Sequence, residues 1–199
     1  MICMARKQRR KYEFKPDRQH SDFLSKLYLT DSQRKSLLKW ALYGLVLLVL
    51  SLVQDTMLSK LSYMGATTDL VPCAILLICI IEGSDSGSIF VLVASMLYTF
   101  TGTPVGTYPI AALTILGLAA AIFRQAFLRK GFSAAMLCAS VSFFLYEMVV
   151  FVVGFSGGLT TFGRFLGFVA TAVMTFISAP VLYPVLVAIS KIGGETWKE

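Results

Sequence analysis

Apolar residues in this chain fall into long blocks separated by short polar stretches, a pattern that predicts membrane-crossing helices rather than the alternating faces of a water-soluble domain. Two blocks organise the rest. Leu70 to Ile81 and Ile89 to Phe100 hold twelve residues each and are joined by the polar turn Glu82-Gly-Ser-Asp-Ser-Gly87. Twelve residues make about 18 Å of helix against a hydrocarbon core of about 30 Å, so each run must borrow flanking residues to span. A re-entrant loop would leave the two carboxylates of the turn inside lipid at high cost. The pattern therefore predicts two short spanning helices shielded by longer neighbours.

The longer blocks supply those neighbours. A first span is expected from Trp40, an interfacial anchor, to about Leu58, with Thr30 and Asp31 as N-cap types ahead of it. Gln54 and Asp55 in its far turn read either as interfacial, where a polar group is cheap, or as bundle-facing and functional. Further spans are expected over Pro109 to Phe123, Phe132 to Val153 and Phe165 to Ile189. Pro109 suits a helix start because its missing donor would be unpaired there in any case. The fold class is an all-α membrane bundle of about six transmembrane helices, two of them short. Residues 1–39 form a basic cytoplasmic segment expected to be partly disordered, 40–191 the six-helix domain and 192–199 a short cytoplasmic tail.

Composition agrees with this reading: 56% of the 199 residues are hydrophobic and the mean hydropathy is +0.73. With most of the chain in spans there is no room for a sizeable soluble domain, which points away from an enzyme. The charge is unevenly placed. Residues 1–39 carry eleven Lys or Arg and four acids, while the other 160 carry seven of each, so the net +7 lies in the N-terminal segment. A polybasic stretch leading into a span reads as a topological signal and a contact with anionic lipid rather than as a nucleic-acid site. With that segment inside, sixteen Lys or Arg fall on the cytoplasmic side and only Lys60 and Arg164 outside, which places both termini in the cytoplasm.

Few residues suit catalysis. His20 is the sole histidine and lies in the basic tail, while Cys3, Cys73, Cys79 and Cys138 are scattered without a CxxC pair. No metal, cofactor, disulfide or catalytic nucleophile is assigned. Glu147 is the one carboxylate well inside a span, about 9 Å of helix from Val153. It reads either as a functional site for a proton, a cation or a partner's base, or as a structural acid that is protonated or hydrogen-bonded to Ser, Thr or Tyr of neighbouring helices. Gly163, Gly167 and Thr171 recur at four-residue spacing, and Gly117 precedes Ala121 by the same interval, so both stripes are candidate packing or partner faces.

Three stretches in order, LVQDTMLSKLSYMGATTDLVP, GSDSG and TGTPVGTYPI, resemble the MreD family of rod-shape-determining membrane proteins, with the likeness extending from Leu45 to about Ile192. Asp69 and the loop residues Gly102, Pro104 and Gly106 match the family's motif positions, whereas Thr68, Ala94 and Tyr98 stand where the family has Pro, Gly and Asp. The resemblance implies a non-enzymatic scaffold in the bacterial plasma membrane. Its partner would be the single-span protein MreC, with MreB, the RodA glycosyltransferase and a class B penicillin-binding protein as indirect partners.

A different class competes with this one. The substrate-binding subunit of an energy-coupling-factor vitamin transporter is also a bundle of about six helices in about 200 residues, and fold analogy alone does not separate the two. Such a binder needs polar and aromatic groups converging on a pocket. Asp69, Tyr98, Tyr108 and Glu147 are the available ones, and they form no dense cluster along the sequence. An ion or solute transporter coupled through Glu147 would need a second charge within the spans.

Overall fold

The structure, a computed structural model, describes residues 31–56, 68–101, 106–127 and 131–193. The expectations for the basic segment before residue 31, for Gly102 and Pro104, for Lys60 and for the tail beyond 193 lie outside the described residues. Six α-helices follow one another: α1 Asp31–Thr56, α2 Leu70–Glu82, α3 Ser84–Phe100, α4 Tyr108–Phe127, α5 Phe132–Ser156 and α6 Phe165–Ser190. Single 3₁₀ turns precede and follow α6, at Phe162–Arg164 and Lys191–Gly193. Four helices, α1, α4, α5 and α6, are long and apolar enough to cross a membrane, while α2 and α3 are shorter apolar helices. The protein is a multi-span helical membrane protein.

The shortest helix is the core. All thirteen residues of α2 are buried, and each of the other five helices packs against it. Its sequence, LVPCAILLICIIE, is apolar around the whole circumference, so it has no face suited to water and is satisfied only when enclosed. Pro72 falls in its first turn, where no intrahelical donor is lost. The shielding expected from the lengths of the runs is thus complete.

Contacts at its two ends give α2 a direction. Its start meets Gln54 of α1 and Thr175 of α6, and its end meets Lys39 and Tyr43 of α1 and Arg124 of α4. The helix therefore crosses the bundle antiparallel to α1, over about 20 Å.

The polar turn after α2 is much tighter than the sequence pattern implied. Glu82 is the last residue of α2 and Ser84 the first of α3, so Gly83 alone is non-helical, at φ 90° and ψ −179°. That left-handed φ favours glycine. Four residues on, a Cβ on Gly87 would lie 2.9 Å from the Cys79 carbonyl oxygen, so α3 leaves the turn in direct backbone contact with α2. Gly117 of α4 continues this close packing, 3.4 Å from Cys79 Sγ and from a Val91 methyl at its Cβ position.

Candidate functional site

Polar groups gather at the two ends of α2. At the Glu82 end, Lys39 Nζ donates to Glu82 Oε2 at 2.6 Å, and the Tyr43 hydroxyl reaches Glu82 Oε1 at 2.7 Å and the Leu186 carbonyl at 3.3 Å. Arg124 Nη1 donates to the Ile80 carbonyl at 2.5 Å, satisfying one of the acceptors left free in the last turn of a helix. Lys39, Tyr43, Glu82 and Arg124 are all buried. This end is closed and fully bonded, and it ties α1, α2, α4 and α6 together.

The Asp69 end is different, because it borders a cavity of about 690 Å³ between α5 and α6. Asp69, which precedes α2, is held by two neighbours. Gln54 Nε2 donates to its Oδ1 at 3.2 Å, and its own N–H donates to Thr175 Oγ1 at 3.0 Å. Gln54 Oε1 also accepts from the Val71 N–H at 3.1 Å, covering an amide of the first turn. Burial raises the Asp69 carboxyl to about 6, because the charged form loses its water.

Glu147 faces the same cavity from α5. It is 4% exposed, and its Oε1 has no hydrogen-bond partner among the described residues. Thr160 Oγ1, on the turn between α5 and α6, is also buried, unpartnered and on the cavity wall. That turn is fixed from within: the Leu159 and Thr160 N–H groups both donate to the Gly154 carbonyl, at 2.9 and 3.2 Å, and Gly158 takes φ 67°. Arg164, exposed, completes the polar lining. Alongside, Phe151 makes edge contacts with Phe165 and Phe168 at 5.2 and 5.3 Å, fastening α5 to the start of α6. Tyr98, Tyr108 and Tyr146 stand close enough to Asp69 and Glu147 to interact electrostatically.

The candidates read from sequence distribute unevenly over this arrangement. Asp69 and Glu147 come together, and with Tyr98, Tyr108 and Tyr146 they form the convergence that is invisible along the chain. Gly163 and Gly167 border the cavity, and a Cβ on either would meet nothing within 4 Å, so this part of the stripe packs against no helix among the described residues. Thr171 is buried on the cavity wall, its hydroxyl turned to the Gly167 carbonyl at 3.1 Å. Gly117 does pack tightly, and Gly106 takes φ 100° in the exposed approach to α4.

Of the two readings of Gln54 the bundle-facing one holds: it is 6% exposed, and its carbonyl accepts from the Val71 N–H in the first turn of α2. Glu82 belongs to the buried pair with Lys39 rather than to an open turn. Thr160, Lys39 and Tyr43 escaped notice in the sequence, where each is an ordinary residue at the edge of an apolar block. Among the described residues, no group of three His, Cys, Asp or Glu side chains is arranged to hold a metal ion. No protein-family model, curated protein or solved structure matches this chain.

Proposed function

We propose that this protein is a non-enzymatic scaffold of the bacterial cell-elongation machinery, of the MreD kind, supporting cell shape and peptidoglycan synthesis by binding a single-span MreC-like partner in the plasma membrane. The observation that supports this reading is an apolar groove of about 270 Å³ between α1 and α3, floored by Val71 and Ile75 of α2. Trp40 stacks on Phe90 at 5.2 Å and closes the groove at the Glu82 end. Beyond that stack, α1 offers Gly44 and Ser51 to the groove, small residues seven apart on one face. A Cβ on Gly44 would meet nothing within 4 Å, so the space beside it is open to another helix. The order of motifs resembling MreD supplies the partner's identity, and RodA, MreB and a class B penicillin-binding protein follow as indirect associates. The eleven Lys or Arg of residues 1–39 suit anionic lipid at the cytoplasmic face.

Co-expression with the MreC-like protein of the same genome tests the reading. The expected result is a complex that survives mild detergent, together with rounding of a rod-shaped host on depletion. Gly44→Phe, whose Cβ would meet nothing within 4 Å and whose ring would occupy the groove, should abolish co-purification while changing the unfolding temperature little. A chain that retains a vitamin and associates with no cell-wall component overturns the assignment.

One observation favours the second reading, a substrate-binding subunit of an energy-coupling-factor vitamin transporter. Asp69 and Glu147 line a cavity large enough for a small molecule, and Tyr98, Tyr108 and Tyr146 stand within electrostatic reach of both acids. That reading requires co-purification with an energising module and a growth defect relieved by excess substrate.

A further inference from the structure

The cavity at the Asp69 end carries an inference of its own, independent of the groove that supports the scaffold reading. Its ionisable lining consists of Asp69, Glu147 and Arg164, two acids to one base. Glu147 Oε1 and Thr160 Oγ1 are buried there without a partner. A buried carboxylate oxygen left unpaired is costly, and more so within a membrane, so the lining is complete only when something donates hydrogen bonds to it. The Thr160 backbone is held by its N–H bond to the Gly154 carbonyl, which keeps the residue at the cavity wall.

The missing donor has recognisable chemistry. A metal ion is disfavoured because no metal-holding group of side chains exists among the described residues, and hard cations take six or more oxygen ligands. A lone monovalent ion or a single water is far smaller than the roughly 690 Å³ available, which falls within the range of small-molecule sites. An alkylammonium group, by contrast, carries three N–H donors and a positive charge, suited to Glu147 Oε1, Thr160 Oγ1 and Asp69. Arg164 on the same wall suits an anion on the same molecule. The apolar residues Val150, Leu166 and Phe168 accept a hydrocarbon portion.

We infer that this cavity binds a zwitterion with a primary ammonium and a phosphate, the ammonium on Glu147 and Thr160 and the anion on Arg164. The same chemistry comes from two sources, an ethanolamine phospholipid headgroup or a free amino-phosphate, and the test separates them.

The full chain is placed in bilayer discs of phosphatidylglycerol mixed with either phosphatidylethanolamine or phosphatidylcholine. In parallel, the detergent-solubilised chain is titrated with phosphoethanolamine or phosphocholine. Choline has no N–H to donate, so the ethanolamine probe should bind at least about tenfold more tightly in one of the two formats, the scale set by a hydrogen bond to a charged group. Discrimination only in the discs identifies a lipid headgroup; discrimination in the titration identifies a soluble zwitterion. Glu147→Gln and Thr160→Val should each reduce the discrimination, and Arg164→Gln should weaken ethanolamine and choline probes alike. Equal binding of the two probes in both formats, or discrimination that survives Glu147→Gln and Thr160→Val, overturns the inference.

Discussion

Lys39 and Glu82 form an ion pair 2.6 Å long in which both side chains are almost entirely shielded. The pair fixes the start of α1 against the end of α2, and the Tyr43 hydroxyl occupies the other carboxylate oxygen. Removing one member leaves a buried charge alone. Lys39→Met should therefore destabilise the protein by about 3–5 kcal/mol, whereas Lys39→Met combined with Glu82→Leu should recover most of that loss. Denaturant or thermal unfolding in detergent measures both, and a double variant as weak as the single one would show that the pair is not the source of the loss.

At the opposite end, Gln54 makes two bonds at once, to Asp69 Oδ1 and from the Val71 N–H. Gln54→Leu keeps the volume and removes both, leaving a buried amide without an acceptor. The expected loss is about 1–3 kcal/mol, read as a lowered unfolding midpoint.

The two polar ends also mark the limit of what the sequence disclosed. The helices were legible because each apolar block is long and uninterrupted, and the short runs announced a shielded centre by being too short to span. Lys39 and Glu82 were not legible as buried groups, and Gln54 only as one of two readings, since a polar residue at the edge of an apolar block ordinarily sits at an interface. What buries them is a partner far along the chain, 43 residues away for Lys39 and Glu82. The same holds for the cavity: Asp69, Glu147 and Thr160 lie on three separate segments, and only the crossing of α2, α5 and α6 makes them neighbours. A stripe of glycines shows that helices can approach but not whether one does, which is why Gly117 packs and Gly167 does not.

That contrast between glycines is measurable. A Cβ at Gly87 would be 2.9 Å from the Cys79 carbonyl oxygen and 3.1 Å from its Cα, backbone atoms that cannot rotate away. Gly87→Ala should then cost about 1–3 kcal/mol, as overpacking does. Gly167→Ala, with nothing within 4 Å of its Cβ, should leave stability unchanged or slightly raised because alanine is the better helix former. Equal losses at the two positions would show that neither packing environment is as described.

The last prediction is the orientation. Sixteen Lys or Arg lie in segments on the N-terminal side of the proposed topology against two on the other, and that imbalance, counted over short loops, sets which face is cytoplasmic. The helices alternate in direction, so Thr107, exposed just before α4, lies at the Asp69 end, and Arg34, exposed near the start of α1, lies at the Glu82 end. In a chain with Cys3, Cys73, Cys79 and Cys138 replaced, Thr107→Cys should react with a membrane-impermeant thiol reagent in intact cells. Arg34→Cys should react only after lysis. The Asp69 end, and with it the ammonium cavity, then faces outward, where a zwitterion of the outer leaflet or the medium has access. Labelling of Arg34→Cys and protection of Thr107→Cys in intact cells would reverse the orientation and turn the cavity to the cytoplasm.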